Sequence, residues 1–514
     1  MTFSPAAVEA RRRSDAVWRA WLILIVALCF IPVGHFQFVR WDDDDLLLQN
    51  GLLHPPTFEN LKLFWTGAYA GLYTPLTYSL WWLILRIRPG SGAGVYHAVD
   101  VLLHLTATGA VFSILKKCVN SAPAAFAGAA IFALHPLQIE SVAWISQTNN
   151  LLAAALSLWA IRLYLESPGR RGEYLAASAI FVLAMLAKPT AVVAPILAAI
   201  LDFYFLRRPI GKIARSIVPW FIAAIWFAVI ARYVQPGVGG GAGAIWQRPA
   251  VAADAVAFYL RKIFWPAHLT IDYARTPARV LMDGHWIAGL VVVAILLALW
   301  KKLGRIRVGL LVMIAALLPV LGLVGFDFQR YSTVADRYMY LPMLGVALAA
   351  AIWPRAVVLL IAIPLAVQSE LQMRYWRDTP ALVDHTLALD PLSTIGNKIL
   401  AAEYARKGQW PEAAGAYRTA LIRNPDDGDL HFNLANALRG QGDYESAIAE
   451  YREAIGLLGP EYRLRAMNNL GIAYYQAGRP DLAEAEFMAI IQIDPGNAEA
   501  RENMSQVVGS VPSR

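Results

Sequence analysis

Apolar stretches, many close to twenty residues long and divided by short basic clusters, constrain this chain more than any other feature. They fall at 17–34, 95–115, 121–135, 150–165, 174–187, 189–205, 214–234, 285–300, 306–326, 340–353 and 355–370. A helix needs about twenty apolar residues to cross a bilayer, and helix satisfies its own backbone there. The pattern predicts an all-α polytopic membrane part with about eleven spans. Composition agrees: 58% of the 514 residues are hydrophobic and 16% charged, whereas soluble domains run to about 45–50% and about 25%. A soluble enzyme and a disordered chain are both excluded on those grounds.

The basic clusters orient the spans. With 17–34 running from inside to outside, the inside loops carry Lys116 and Lys117; Arg170 and Arg171; Arg207, Arg208, Lys212 and Arg215; Lys301, Lys302, Arg305 and Arg307; and Arg355. Every predicted inside loop is basic, as the positive-inside rule requires, and an odd span count leaves the C-terminal part outside. Arg11 to Arg13 precede the first run, and Phe30-Ile31-Pro32-Val33-Gly34-His35 is a poor cleavage site, so that span reads as uncleaved. The outside segment 35–94 holds Asp42 to Asp45 and an amphipathic stretch, Leu72 to Ile87, with Tyr73, Tyr78, Trp81 and Trp82 suited to an interface. In the outside segment 235–284, Gly237 to Gly243 reads as a flexible loop, because no lysine or helix start follows at phosphate-loop spacing. Residues 253–265 read as a short interfacial or re-entrant helix. Cys29 and Cys118 build neither a disulfide framework nor a zinc cluster.

From about 392 the pattern changes to helical pairs repeating every 34 residues. Leu400-Ala401, Ala413, Tyr417, Ala420 and Pro425 recur as Leu434-Ala435, Ala447, Tyr451, Ala454 and Pro460. They recur again, after two inserted residues near Gly459, as Leu470-Gly471, Ala483, Phe487 and Pro495. Small residues at helix crossings, an aromatic knob and a closing proline are the tetratricopeptide pattern. The expected domains are 1–372 in the membrane, a connecting half-repeat at 373–391, and 392–514 as an array with repeats 394–427, 428–463 and 464–497 plus a capping helix. Residues 392–514 hold 12 basic and 16 acidic residues, a net of −4, so the remainder carries +12 of the chain's +8. That charge sits in inter-span clusters and makes no continuous basic face, so nucleic acid is not an expected partner. Stacked helix pairs make binding surfaces and carry no chemistry of their own, so the array points to a protein partner.

The groups able to carry chemistry map to the predicted outer face. Consecutive carboxylates at Asp42 to Asp45 repel unless a cation or donors compensate. They read as a solvated acid run or as a general base, with a divalent metal an alternative whose candidate ligands are Asp43, Asp45 and Glu140. His135-Pro136 leads to Glu140 at the outer end of a span, and Lys188-Pro189 breaks a long apolar stretch. Asp336-Arg337-Tyr338-Met339-Tyr340 opens another span. Snorkelling at the interface is the plain reading of Lys188 and Arg337. Acids and cations on one membrane face suit a lipid-linked phosphate donor, the carboxylate activating a hydroxyl while Lys188 and Arg337 hold the phosphate.

Seven short motifs carry a family resemblance. They are Phe38-Val39-Arg40-Trp41-Asp42-Asp43-Asp44 with Asn50; Tyr73-Thr74-Pro75-Leu76-Thr77; Tyr96-His97 with His104; and His135-Pro136 through Glu140-Ser141-Val142-Ala143-Trp144. The others are Ala187-Lys188-Pro189 with Asp202, Trp265-Pro266 with Leu269 and Tyr273, and Ala335-Asp336-Arg337-Tyr338 with Tyr340-Leu341-Pro342. In order and spacing the chain resembles GT-C type membrane glycosyltransferases with C-terminal tetratricopeptide repeats, as a bacterial relative of the TMTC O-mannosyltransferases. The resemblance implies a polyprenyl-phosphate sugar as co-substrate and a catalytic aspartate in the first outer loop, at Asp42 or Asp43, with Asp44 also a candidate. It implies phosphate binding at Lys188 and Arg337, and a donor and acceptor pocket with His97, His135, Glu140, Tyr338 and Tyr340. Where the family has a basic-basic-acidic triplet, this chain has Thr148-Asn149-Asn150.

The expected function is transfer of a sugar, with inversion at the anomeric carbon, from a polyprenyl-phosphate donor to a Ser/Thr hydroxyl of an exported protein held by the repeats. The expected setting is a bacterial inner membrane with site and repeats in the periplasm, among membrane lipids. Two rivals stand beside it: transfer to a lipid-linked glycan or lipopolysaccharide, and a non-catalytic membrane-anchored scaffold for envelope assembly.

Overall fold

The computed structural model describes residues 5–234 and 244–510. The glycine run at 237–243 lies outside them. The described residues are helical throughout, with no strand beyond an isolated bridge between Tyr69 and Leu72. They form two units, Met1–Ile271 with Arg275–Leu382, and Asp272–Ala274 with Val383–Arg514. The division falls inside the segment 373–391.

Each of the eleven apolar stretches carries helix. Among the described residues, five helices are long and apolar enough to cross a bilayer: Arg13–His35, Ala93–Val119, Pro189–Leu206, Ile210–Val234 and Arg355–Trp376. A sixth arises if Ala122–Leu134 and Pro136–Ala143, bent by 55°, count as one. Others are shorter. His285–Leu299 has 15 residues and Met343–Ala350 has 8, which at about 1.5 Å per residue fall short of a hydrocarbon core about 30 Å thick. By length and composition alone, the described residues thus hold five or six candidate spans beside the eleven or so expected.

Close helix crossings build the first unit. Gly309 on Ile306–Leu317 and Gly345 on Met343–Ala350 face each other, and a Cβ on either would collide with the other's backbone carbonyl. Small residues let helices approach this closely where water supplies no driving force. The expected interfacial helix is Arg248–Phe264. The stretch from Leu72 forms Pro75–Ile87, whose Tyr78, Trp81 and Trp82 are buried in one cluster with Phe64 and Tyr96. They make a core and not the lipid-facing belt that amphipathicity suggested.

In the second unit, Thr394–Arg406 and Trp410–Leu421, Gly428–Gln441 and Tyr444–Leu457, and Pro460–Gln476 and Pro480–Ile493 are three helical pairs, closed by Ala498–Ser510. The recurring residues are its core: Tyr417, Tyr451 and Phe487 are buried with Ala413, Ala447 and Ala483. Gly471 is small because the Phe487 ring lies 2.7 Å from where its Cβ would be.

Candidate functional site

The four aspartates separate in space. Helix begins at Asp42 and continues as a π-turn over Asp44–Leu48. Asp43 is 1% exposed, Asp42 and Asp44 are half-buried, and Asp45 is exposed. Asp43 is held from three directions: Val39 N donates to Oδ2 at 2.9 Å, and Ser146 N at 2.9 Å and Ser146 Oγ both donate to Oδ1. Burial pushes its carboxyl up to about 7 against those bonds, with the Asp42 charge adding to the rise. Trp41 stacks on Trp144 at 5.0 Å, fastening the same loop to the segment that carries Ser146. Asp43 therefore braces the loop.

Asp42 turns its charge elsewhere. Its negative charge favours the protonated forms of both Lys188 and Arg337. Arg337 Nη1 donates to Glu140 Oε1 at 2.5 Å, and the Arg337 amide donates to Oε2 at 2.8 Å. Its guanidinium lies over Phe328 at 4.1 Å, Tyr338 at 5.1 Å and Trp144 at 5.7 Å. Lys188 follows the Arg171–Ala187 helix, where Pro189 ends it. Its Nζ donates to Asn149 Oδ1 at 3.1 Å. Burial and then the Arg337 charge lower its pKa to about 7, with Asp42 and Glu140 opposing the fall. Lys188, Arg337, Glu140 and Asp42 thus share one electrostatic neighbourhood.

Of these groups Arg337 lines a cleft with about 440 Å³ of empty space, open solvent included. Asn150, Arg337 and Tyr338 line it with Ala153, Ala316 and Leu341, so a few polar groups meet a mostly apolar wall. Three predicted pocket residues do not line this cleft. His135 accepts from Leu137 N at Nδ1 and bonds the Ile263 carbonyl through Nε2 at 3.0 Å. Tyr340 pairs its hydroxyl with His104 Nδ1 at 2.8 Å. His97 is 1% exposed beside the Gln37 carbonyl. Among the described residues no group of three His, Cys, Asp or Glu could hold a metal. Asp43, Asp45 and Glu140 do not form one, because Asp43 is bound to Ser146 and Glu140 to Arg337.

Residues 73–234 match the family described as dolichyl-phosphate-mannose-protein mannosyltransferase, and residues 400–462 and 438–507 match tetratricopeptide repeats. A Caenorhabditis elegans protein O-mannosyl-transferase, F38B6.6, is 23% identical over 473 residues, covering 85% of this chain and 62% of its own length. The chain is a homologue of the TMTC O-mannosyltransferases. The Drosophila melanogaster relatives Tmtc1 and Tmtc2 align over shorter stretches, 30% identical over 119 residues and 31% over 140, or 23% and 26% of this chain. The chain spans 14% and 15% of those two relatives and less than two thirds of the first. With its apolar helices, this TMTC homologue is an integral membrane protein.

Sequence reasoning missed Ser146 and the work of the substituted triplet. Thr148 Oγ1 donates to the buried Asp100 at 2.7 Å, Asn149 receives Lys188, and Asn150 Nδ2 donates to the Arg337 carbonyl at 3.0 Å. The available signal was the triplet's place three residues after the Val142-Ala143-Trp144 motif, next to a segment already counted among the site motifs.

Proposed function

We propose that the chain is a GT-C type membrane glycosyltransferase that moves a sugar from a polyprenyl-phosphate donor to a Ser/Thr hydroxyl of an exported protein. What supports this reading is a cleft with an apolar wall lined by Arg337, Tyr338 and Asn150, with Lys188 held by the adjoining Asn149 and the Asp42 charge favouring the protonated form of both cations. Asp42 takes the proton from the acceptor hydroxyl. The freed oxygen attacks the anomeric carbon opposite the phosphate, the carbon–oxygen bond to phosphate breaks, and the sugar inverts. The polyprenyl phosphate leaves with its charge held by Lys188 and by the N–H groups of Arg337. The repeats hold the acceptor segment, and site and repeats face the periplasm of a bacterial inner membrane.

The test is transfer from labelled polyprenyl-phosphate mannose to a Ser/Thr-containing peptide by the full chain in lipid bilayers. Peptide labelling is expected, and its loss on deleting 392–514. Label reaching only a lipid acceptor, with or without 392–514, would move the reading to the lipid-linked rival, and no turnover of any labelled sugar donor would favour the scaffold.

A pH dependence follows from Lys188. Its ammonium is present below about 7 and lost above it. A phosphodiester donor keeps the same charge over this range, so its affinity is expected to fall as pH rises through about 7, by up to about tenfold per unit. Titration of donor binding between pH 6 and 9 checks this; a flat profile would show that the Lys188 charge does not hold the donor.

A further inference from the structure

Lys188 is the cation of the site whose hydrogen-bond acceptor is neutral. Arg337 has the Glu140 carboxylate against its guanidinium, both nearly enclosed, at 7% and 2% exposure. Lys188 Nζ instead donates to the amide oxygen of Asn149, itself 6% exposed, with Asp42 and Glu140 acting on it through their fields. The neighbouring Asn150 binds the Arg337 carbonyl, and Thr148 binds Asp100. One turn of backbone, 148–150, therefore fastens three separate elements by neutral donors and acceptors. The two kinds of acceptor differ in consequence. A carboxylate in contact with an ammonium neutralises it and must be displaced before a phosphate can dock. An amide oxygen orients the ammonium with one of its three N–H donors and leaves its charge for an incoming anion.

We propose that Asn149 is a positioning residue for the donor phosphate, fixing Lys188 without neutralising it, so that Lys188 supplies the net positive charge the phosphate meets. The proposal rests on the lipid-phosphate reading above. It makes the triplet a determinant of how tightly this chain holds a lipid phosphate. A basic side chain at 149 would crowd Lys188 with like charge, and an acidic one would occupy it.

Three variants of the full chain decide this: Asn149→Asp, Asn149→Ala and Asn149→Gln, with Lys188→Met as the reference for lost charge. The probe is undecaprenyl phosphate, measured by native mass spectrometry in detergent beside the thermal midpoint of each protein. Asn149→Asp keeps the shape and strengthens the bond to Lys188, so its thermal midpoint is expected to hold or rise. Its affinity for the probe is expected to fall by about tenfold or more, toward that of Lys188→Met. Asn149→Ala is expected to lose less affinity than Asn149→Asp, and Asn149→Gln to recover most of it. A purely structural Asn149 predicts another pattern, in which affinity follows stability and Asn149→Asp binds at least as well as Asn149→Ala. That result would overturn the proposal. Failure of the underlying reading looks different: the unsubstituted chain would not bind undecaprenyl phosphate above a zwitterionic lipid control, and the proposal would fall with it.

Discussion

Replacing Asp42 by Asn is expected to lower sugar transfer by about 10²- to 10⁴-fold, the range general-base catalysis contributes, with thermal stability close to that of the unsubstituted chain. Asp42 is half-buried and exerts its charge on Lys188 and Arg337. An asparagine keeps its size and removes the base. Asp43→Asn is expected to behave in the opposite sense. Its two carboxylate oxygens accept from Val39 N, Ser146 N and Ser146 Oγ, and an amide group has one acceptor oxygen in place of two. Whichever way it turns, a buried N–H loses its partner, at a cost of about 1–3 kcal/mol. Its defect is therefore expected in the thermal midpoint first and in activity second. Turnover measured beside thermal unfolding separates the two. Full activity in Asp42→Asn would remove the base assignment, and an unchanged midpoint in Asp43→Asn would remove the brace.

Sequence alone left Asp42, Asp43 and Asp44 undivided as candidates, and the reason is physical. Adjacent residues on a turn point in different directions, and which one meets the packed interior depends on partners a hundred residues away, here Ser146. The helical repeats were legible because each one states its own local packing, with alanines at crossings and Tyr417, Tyr451 and Phe487 as knobs. The apolar helices were legible too, but their number was not. A short apolar run has the same local signal whether it spans, bends like the helices on either side of His135, or stops inside the protein. The polar pocket was partly legible. Lys188, Arg337 and Glu140 share a neighbourhood, whereas His97, His135 and Tyr340 satisfy backbone and neighbouring rings. Nothing local distinguishes a histidine that binds a ligand from one that closes a buried carbonyl. The resemblance carried what periodicity could not, the order of the motifs, and the homology over 85% of the chain accords with it.

Glu140→Ala is expected to destabilise the first unit by about 3–5 kcal/mol, the cost of leaving one member of a buried ion pair without the other. Glu140 accepts from the Arg337 guanidinium at 2.5 Å and from its amide at 2.8 Å, and the two residues are 2% and 7% exposed. Removing the carboxylate leaves a buried guanidinium among the rings of Phe328, Tyr338 and Trp144 without its contacting counter-charge. The double change Glu140→Leu with Arg337→Met removes both charges and is expected to recover much of that loss, because apolar replacements of a buried pair are often neutral or stabilising. Unfolding of the three proteins in the same lipid or detergent measures the difference. Equal midpoints for Glu140→Ala and the unsubstituted chain would mean that the pair contributes nothing to the fold. The double variant should nevertheless transfer no sugar. Arg337 already has its charge matched by Glu140, so what it offers a phosphate is directed N–H groups and not net charge. Recovery of the fold without recovery of transfer would show that those N–H groups act on the donor beyond their part in packing, while transfer by the double variant would leave Lys188 as the sole phosphate ligand of the site.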